Sequence, residues 1–193
     1  GYHGVATDGR ILADGDLNIE VVSDSSFSTS VSATNDLYGI QANGKLNISG
    51  SGKLTVTANS DGTVYGIYAD KGVTISAPLD VQVGKVDSSK NGPLYGIYTK
   101  SGAISLSGGD KAITVTGGGS SVYGVYNAAN TSTAITNNGN IDIRGKLTVN
   151  LYNGGSNDGI RTDGGGTITL DGATVNIPSN FGTGIYNFKG NVV

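Results

Sequence analysis

The chain has 193 residues, enough for one substantial domain, with 33 Gly, 3 Pro, no Cys and only 14% charged residues. The lack of Cys removes a disulfide framework, a thiolate zinc site and a thiol nucleophile, while remaining compatible with an oxidising exterior. A net charge of −3 offers no basic stripe for nucleic acid, and no apolar run approaches the roughly 18 residues of a membrane-spanning helix.

Seven copies of one repeat run along the chain. Aligned on the apolar residue that follows Gly (or Arg10), they place Ile11, Ile40, Ile67, Ile97, Val125, Ile160 and Ile185 in one column. The first copy reads "GRILADGDLNIE" and the second "YGIQANGKLNIS", so Leu17-Asn18-Ile19 matches Leu46-Asn47-Ile48 residue for residue. In the first copy the polar, Ser-rich residues 20–37 stand where a clear third strand is expected and suggest part of an N-terminal cap.

The second copy divides into Tyr38–Ala42, Lys45–Ser49 and Lys53–Ala58, separated by Gly-containing turns. Its last two pieces alternate apolar Leu46, Ile48, Leu54 and Val56 with polar neighbours. That period of two predicts half-buried strands, each too short for a helix. The third copy repeats the pattern with Val73, Ile75, Val81 and Val83, and the sixth with Ile168, Leu170, Val175 and Ile177. The fifth is longer: "YNAANTSTAITNNG" precedes Ile141, read as a loop at one corner or an added strand at Ala134-Ile135. The last copy stops in mid-strand at Val192-Val193, the expected appearance of a piece of a longer chain.

Three short strands cannot bury an apolar face alone, so successive copies must stack. The expected fold is all-β: a right-handed parallel β-helix, or β-solenoid, with three strands per rung and six to seven rungs of about 29 residues. As a single domain over 1–193, its first rung and cap span 1–37. Rungs follow at 38–64, 65–94, 95–122, 123–156 and 157–182, with an incomplete one at 183–193.

Two columns of the repeat are rich in tyrosine. Before the Gly stand Tyr38, Tyr65, Tyr95 and Tyr123, then Asp158 and Thr183; after the Ile stand Gln41, Tyr68, Tyr98, Tyr126, Arg161 and Tyr186. Strand alternation predicts that the second column faces solvent, and that the first points inward or sits at a corner. Two uses of these rings are open. Stacked tyrosines stabilise neighbouring rungs; alternatively Tyr68, Tyr98 and Tyr126, bordered by Gln41 and Arg161, form a platform for sugar rings.

Catalysis finds little footing. The only His is His3, and the 14 Asp and single Glu20 are scattered over turns. Glycoside hydrolysis needs facing carboxylates, and no two neighbouring rungs place them in one outward strand column, so the chain reads as a non-enzyme. Outward Thr-x-Thr pairs would suit ice binding, but Lys45, Gln82, Asp142 and Arg144 interrupt them. Asp158 with Asp163, at a Gly-rich turn, is the candidate calcium site, the one cofactor to be considered; Asp-Gly is also simply a good turn.

"DGIRTDGGGTITLDGATVNI", from Asp158 to Ile177, and "YGIYADKGVTISAPLDVQV" resemble repeats of bacterial extracellular right-handed β-helix proteins. These include Gram-positive carbohydrate-binding-domain proteins, and adhesin passenger regions share the architecture. The resemblance implies an extracellular or cell-surface location and attachment to a polysaccharide or to a host-surface glycan or protein. It also associates the Asp before Gly-Ile with calcium; here only Asp158 matches, and four copies carry Tyr. The expected function is therefore glycan-binding or adhesive, with a purely structural adhesin shaft as the alternative. A polysaccharide lyase or hydrolase stands further back.

Overall fold

A computed structural model describes residues 9–118, 121–129, 139–176, 182–188 and 190–193. Ala134-Ile135, most of the fifth-copy insertion, His3 and Ile177 lie outside the described residues. Seventeen strands, β1 to β17 in chain order, account for the regular structure among the described residues, every pairing is parallel, and there is no helix to cross a membrane.

Strands of the successive copies stack as a β-solenoid. The first column holds β1 (Ile11–Ala13), β4 (Leu37–Ala42), β7 (Val64–Ala69), β10 (Leu94–Thr99), β13 (Ser121–Asn127), β15 (Ser156–Thr162) and β17 (Thr183–Asn187). The second runs through β2 (Leu17–Glu20), β5 (Leu46–Ser49), β8 (Val73–Ile75), β11 (Ile104–Leu106), β14 (Ile141–Tyr152) and β16 (Ile168–Asn176). The third contains β3 (Ser25–Val31), β6 (Leu54–Ser60), β9 (Leu79–Gly84) and β12 (Lys111–Thr116), and is completed by the later halves of β14 and β16. From β2 to β16 the chain makes about five turns.

The register follows the repeat. Ile11, Ile40, Ile67, Ile97, Val125, Ile160 and Ile185 are successive Cα partners. Leu17-Asn18-Ile19 pairs with Leu46-Asn47-Ile48. Each inward residue lies above its counterpart one turn below, and one continuous core runs from Ala13 to Ile168. Burial of these stacked Ile, Leu and Val side chains holds the rod together, at about 25 cal/mol for each Å² removed from water.

One departure from expectation and two local irregularities have physical causes. The Ser-rich stretch of the first copy is a regular third-column strand, β3, paired with β6 from Ser25 to Val31. Phe27, Thr29 and Val31 supply its inward alternation, which the serines between them obscure. In β14 the turn between the second and third columns shrinks to Arg144-Gly145-Lys146, with Gly145 at φ 96°, so two columns merge into one long strand. Lys111 occupies an inward position whose neighbours up and down the column are Leu79 and Leu147. Its ammonium donates to the carbonyls of Ser107 and Gly109, and burial lowers its pKa.

The corner after the first column also changes along the rod. Ala13, Ala42 and Ala69 fill it in the early turns, whereas Thr99, Asn127 and Thr162 follow, all buried. These polar groups bind backbone carbonyls: Thr99 Oγ1 donates to Ala69 O at 3.1 Å, Asn127 Nδ2 to Gly102 O at 2.9 Å and Thr162 Oγ1 to Gly139 O at 2.7 Å. Each buried polar side chain is thereby satisfied; Ala69 O and Gly102 O also accept the backbone N–H groups of Lys100 and Gly139.

Candidate functional site

The tyrosine face begins with a break in strand alternation. In β4, β7 and β10 the order is inward, outward, inward, inward, outward, inward, with Gly and Ile as the two consecutive inward residues. The Cα pairing registers the tyrosine and the isoleucine on either side and passes over the glycine. Both tyrosine columns therefore emerge on the same outer face, which corrects the expectation that the first points inward or sits at a corner. Gly is required there by proximity: a Cβ on Gly96 would lie 2.3 Å from Ile113 Cγ2 and 2.6 Å from Gly124 O.

Seven rings follow from that geometry. Tyr38, Tyr65, Tyr95 and Tyr123 form a parallel stack with centroids 4.9, 4.8 and 5.0 Å apart and planes within 4°, 6° and 9° of each other. Tyr68 meets Tyr65 at 78° and Tyr98 meets Tyr95 at 69°, so the second column packs edge to face on the first. Tyr68 and Tyr98 stack at 5.3 Å, but Tyr126 breaks that row and lies against Tyr123 at 4.9 Å and 22°. Rings this close and this parallel are stacked with an offset. Tyr68 and Tyr98 thus turn their faces to neighbours while remaining half-exposed.

Polar groups complete the array. The Tyr68 hydroxyl donates to Asp70 Oδ1 at 2.7 Å, and the Tyr126 hydroxyl to Asp163 Oδ2. Burial, followed by these hydrogen bonds to carboxylates, raises both phenol pKa values. Burial and the adjacent tyrosines raise those of Tyr65 and Tyr95.

An arginine stands at each end. Arg10 lies 5.9 Å from the Tyr38 ring and donates to Gln41 Oε1 at 3.2 Å. Arg161 lies 5.4 Å from Tyr126 and 4.6 Å from Tyr186, continuing the stack into the next turn. Its guanidinium donates to Asp158 at 2.8 Å and Asp163 at 3.0 Å. Burial opposes the charge of Arg161, and the two carboxylates outweigh it, so its pKa is raised. The two carboxylates considered for calcium are therefore bridged by a guanidinium, with no group of three metal-ligating side chains among the described residues.

All five residues of the expected glycan platform, Gln41, Tyr68, Tyr98, Tyr126 and Arg161, lie on this one face. Sequence reasoning missed Arg10 and Asp70. A legible signal existed: on one strand face, residues two apart are neighbours. Gln41–Asn43, Tyr68–Asp70 and Arg161–Asp163 are all hydrogen-bonded pairs of that kind.

A second polar surface was read from sequence only as strand propensity. On the third column Thr57, Gln82, Thr114 and Asn150 are Cα partners in one outward row, and Asn59, Gly84, Thr116 and Tyr152 in the next. Gly84 leaves a gap in the second row, opening a trough of about 530 Å³ lined by Asn59, Gln82 and Thr116, with Lys85 and Asn153 at its rims. Lys85 is turned away, its ammonium donating to the carbonyls of Asp61 and Gly62.

Comparison with protein-family models, with curated proteins and with solved structures returns no match in any of the three.

Proposed function

We propose that this chain is a non-catalytic rigid shaft of an extracellular protein, displayed on a bacterial surface or secreted, that holds adhesive groups away from their point of attachment. The observation that carries this reading is the tyrosine array. Its faces are engaged with one another, its ends with Arg10 and Arg161, and two of its hydroxyls with Asp70 and Asp163. Such an array stiffens a column of rungs, each aromatic contact contributing about 0.5–1.5 kcal/mol beyond burial. A sparsely charged surface and the lack of Cys fit an extracellular setting.

The trough on the third column favours a second reading, attachment to a glycan. Thr, Asn and Gln side chains repeated at the rung spacing match sugar hydroxyls, and Tyr152, 38% exposed, supplies an aromatic at the end of one row.

One experiment separates the two. The purified protein is screened against soluble and insoluble polysaccharides and host-cell surfaces, with and without Ca²⁺, beside Tyr68→Ala/Tyr98→Ala/Tyr126→Ala and Gln82→Ala/Tyr152→Ala. The shaft reading expects no glycan binding, with the triple variant losing stability. Binding lost in the folded triple variant overturns it in favour of the tyrosine face; binding lost in the double variant overturns it in favour of the trough.

A further inference from the structure

The chain contains no Cys, Met or Trp, so its 10 tyrosines are its readiest donors of a single electron. Tyr38, Tyr65, Tyr68, Tyr95, Tyr98, Tyr123 and Tyr126 stand in one unbroken contact array, each ring within 5.6 Å of the next. An electron removed from any of them is therefore replaced from a neighbour across a ring–ring contact. Where the resulting radical settles depends on which phenol can lose its proton.

Among the described residues two hydroxyls of the array donate short hydrogen bonds to a carboxylate, Tyr68 to Asp70 and Tyr126 to Asp163, while Tyr38 meets Asp36 only weakly; the two short bonds differ. Asp163, which accepts from Tyr126, is ion-paired with Arg161 at 3.0 Å. That pairing opposes protonation of the carboxylate, and the guanidinium 5.4 Å from the Tyr126 ring disfavours positive charge on it. Asp70, which accepts from Tyr68 at 2.7 Å, carries no ion pair among the described residues. Proton loss is thus easier at Tyr68, whose ring stacks on Tyr98 at 5.3 Å and 9°.

We propose that the Tyr68–Tyr98 pair is an oxidative modification site, converted by a haem peroxidase and hydrogen peroxide into a dityrosine that covalently joins two neighbouring rungs. The Tyr68 O–H bond breaks, its electron passes to the oxidised haem and its proton to Asp70 Oδ1. Tyr98 loses an electron to a second oxidising equivalent and its proton to water. The two phenoxyl radicals couple at ring carbons ortho to oxygen, and the hydrogen on each of those carbons leaves as a proton while each oxygen regains one. In sum two tyrosines give one dityrosine, two protons and two electrons, and these reduce one hydrogen peroxide to two waters.

The test treats the purified protein with a haem peroxidase and limiting hydrogen peroxide. Dityrosine fluorescence is followed, and cross-linked peptides of the monomeric fraction are mapped by mass spectrometry. The expected product joins the Tyr68 and Tyr98 peptides within one molecule. It disappears in Tyr98→Phe, which keeps the ring, and persists in Tyr126→Phe and Tyr152→Phe. Asp70→Asn, with an unchanged circular-dichroism spectrum, forms it several-fold more slowly. An Asp70→Asn rate equal to the parent's overturns the proposal, as does cross-linking only between molecules through Tyr152, or no dityrosine at all.

Discussion

The outer faces of the first and third columns rest on the same parallel ladder at the same rung spacing, yet use their side chains in opposite ways. On the first, a glycine turned into the core brings two side chains per turn onto one side, both tyrosines in β7, β10 and β13, where rings, carboxylates and arginines engage each other. On the third, alternation is unbroken, and the Thr57, Thr114 and Thr116 side chains carry no hydrogen bond among the described residues. The difference teaches that outward side chains become structural when a local break crowds them, and stay open to a partner when regular pleating keeps them apart.

That contrast is most severely tested at the glycines. Gly96→Ala forces a Cβ against Ile113 Cγ2 and the Gly124 carbonyl, and is expected to cost about 3 kcal/mol in denaturant unfolding. Gly84→Ala on the other face meets the flexible Asn59 side chain at 2.8 Å and backbone only at an ordinary 3.8 Å from Thr116 O, and is expected to cost less than about 1 kcal/mol. Equal costs would erase the distinction between the faces.

Next in size is the arginine at the end of the tyrosine array. Arg161→Ala strands Asp158, 5% exposed, without its partner and should lower stability by about 2–3 kcal/mol, read from the same unfolding curves. Tyr95→Ala, which removes contacts with Tyr65, Tyr98 and Tyr123, should cost about 2 kcal/mol. Gln82→Ala in the trough should stay within about 0.5 kcal/mol.

Alkaline pH sharpens the comparison without a substitution. Folded phenol pKa values are raised at Tyr65, Tyr68, Tyr95 and Tyr126, whereas an unfolded tyrosine titrates near about 10. Above that pH the unfolded chain has fewer bound protons than the folded one. The array's stabilisation is therefore complete below about pH 10 and falls as pH rises towards the folded values. Tyrosinate absorbance measured against pH should show these phenols ionising late, or only on unfolding; ordinary titration of every tyrosine would contradict the array.

The repeat made the solenoid legible because stacking demands identity at fixed intervals, and Ile40, Ile67 and Ile97 advertise that interval directly. The tyrosine face was half legible. Counting by twos placed Tyr68 outside correctly but put Tyr65 on the wrong side, since alternation assumes that each residue, Gly66 included, takes one step of the pleat. β3 was hidden for a different reason: serines dilute the apolar signal of Phe27 and Val31, and pairing with β6 decides the matter.

Sequence alone determined that apolar residues recur in register, hence that rungs stack in parallel around one Ile, Leu and Val core. It also determined which residues share the aromatic face at the second position of each copy. Only the tertiary structure decided how those side chains meet. The inward glycine, the Tyr126 ring turned onto Tyr123 and the Arg161 bridge between Asp158 and Asp163 all depend on contacts between turns. Such contacts follow from the distance of a few ångströms at which one rung is laid on the next, which no single copy of the repeat contains.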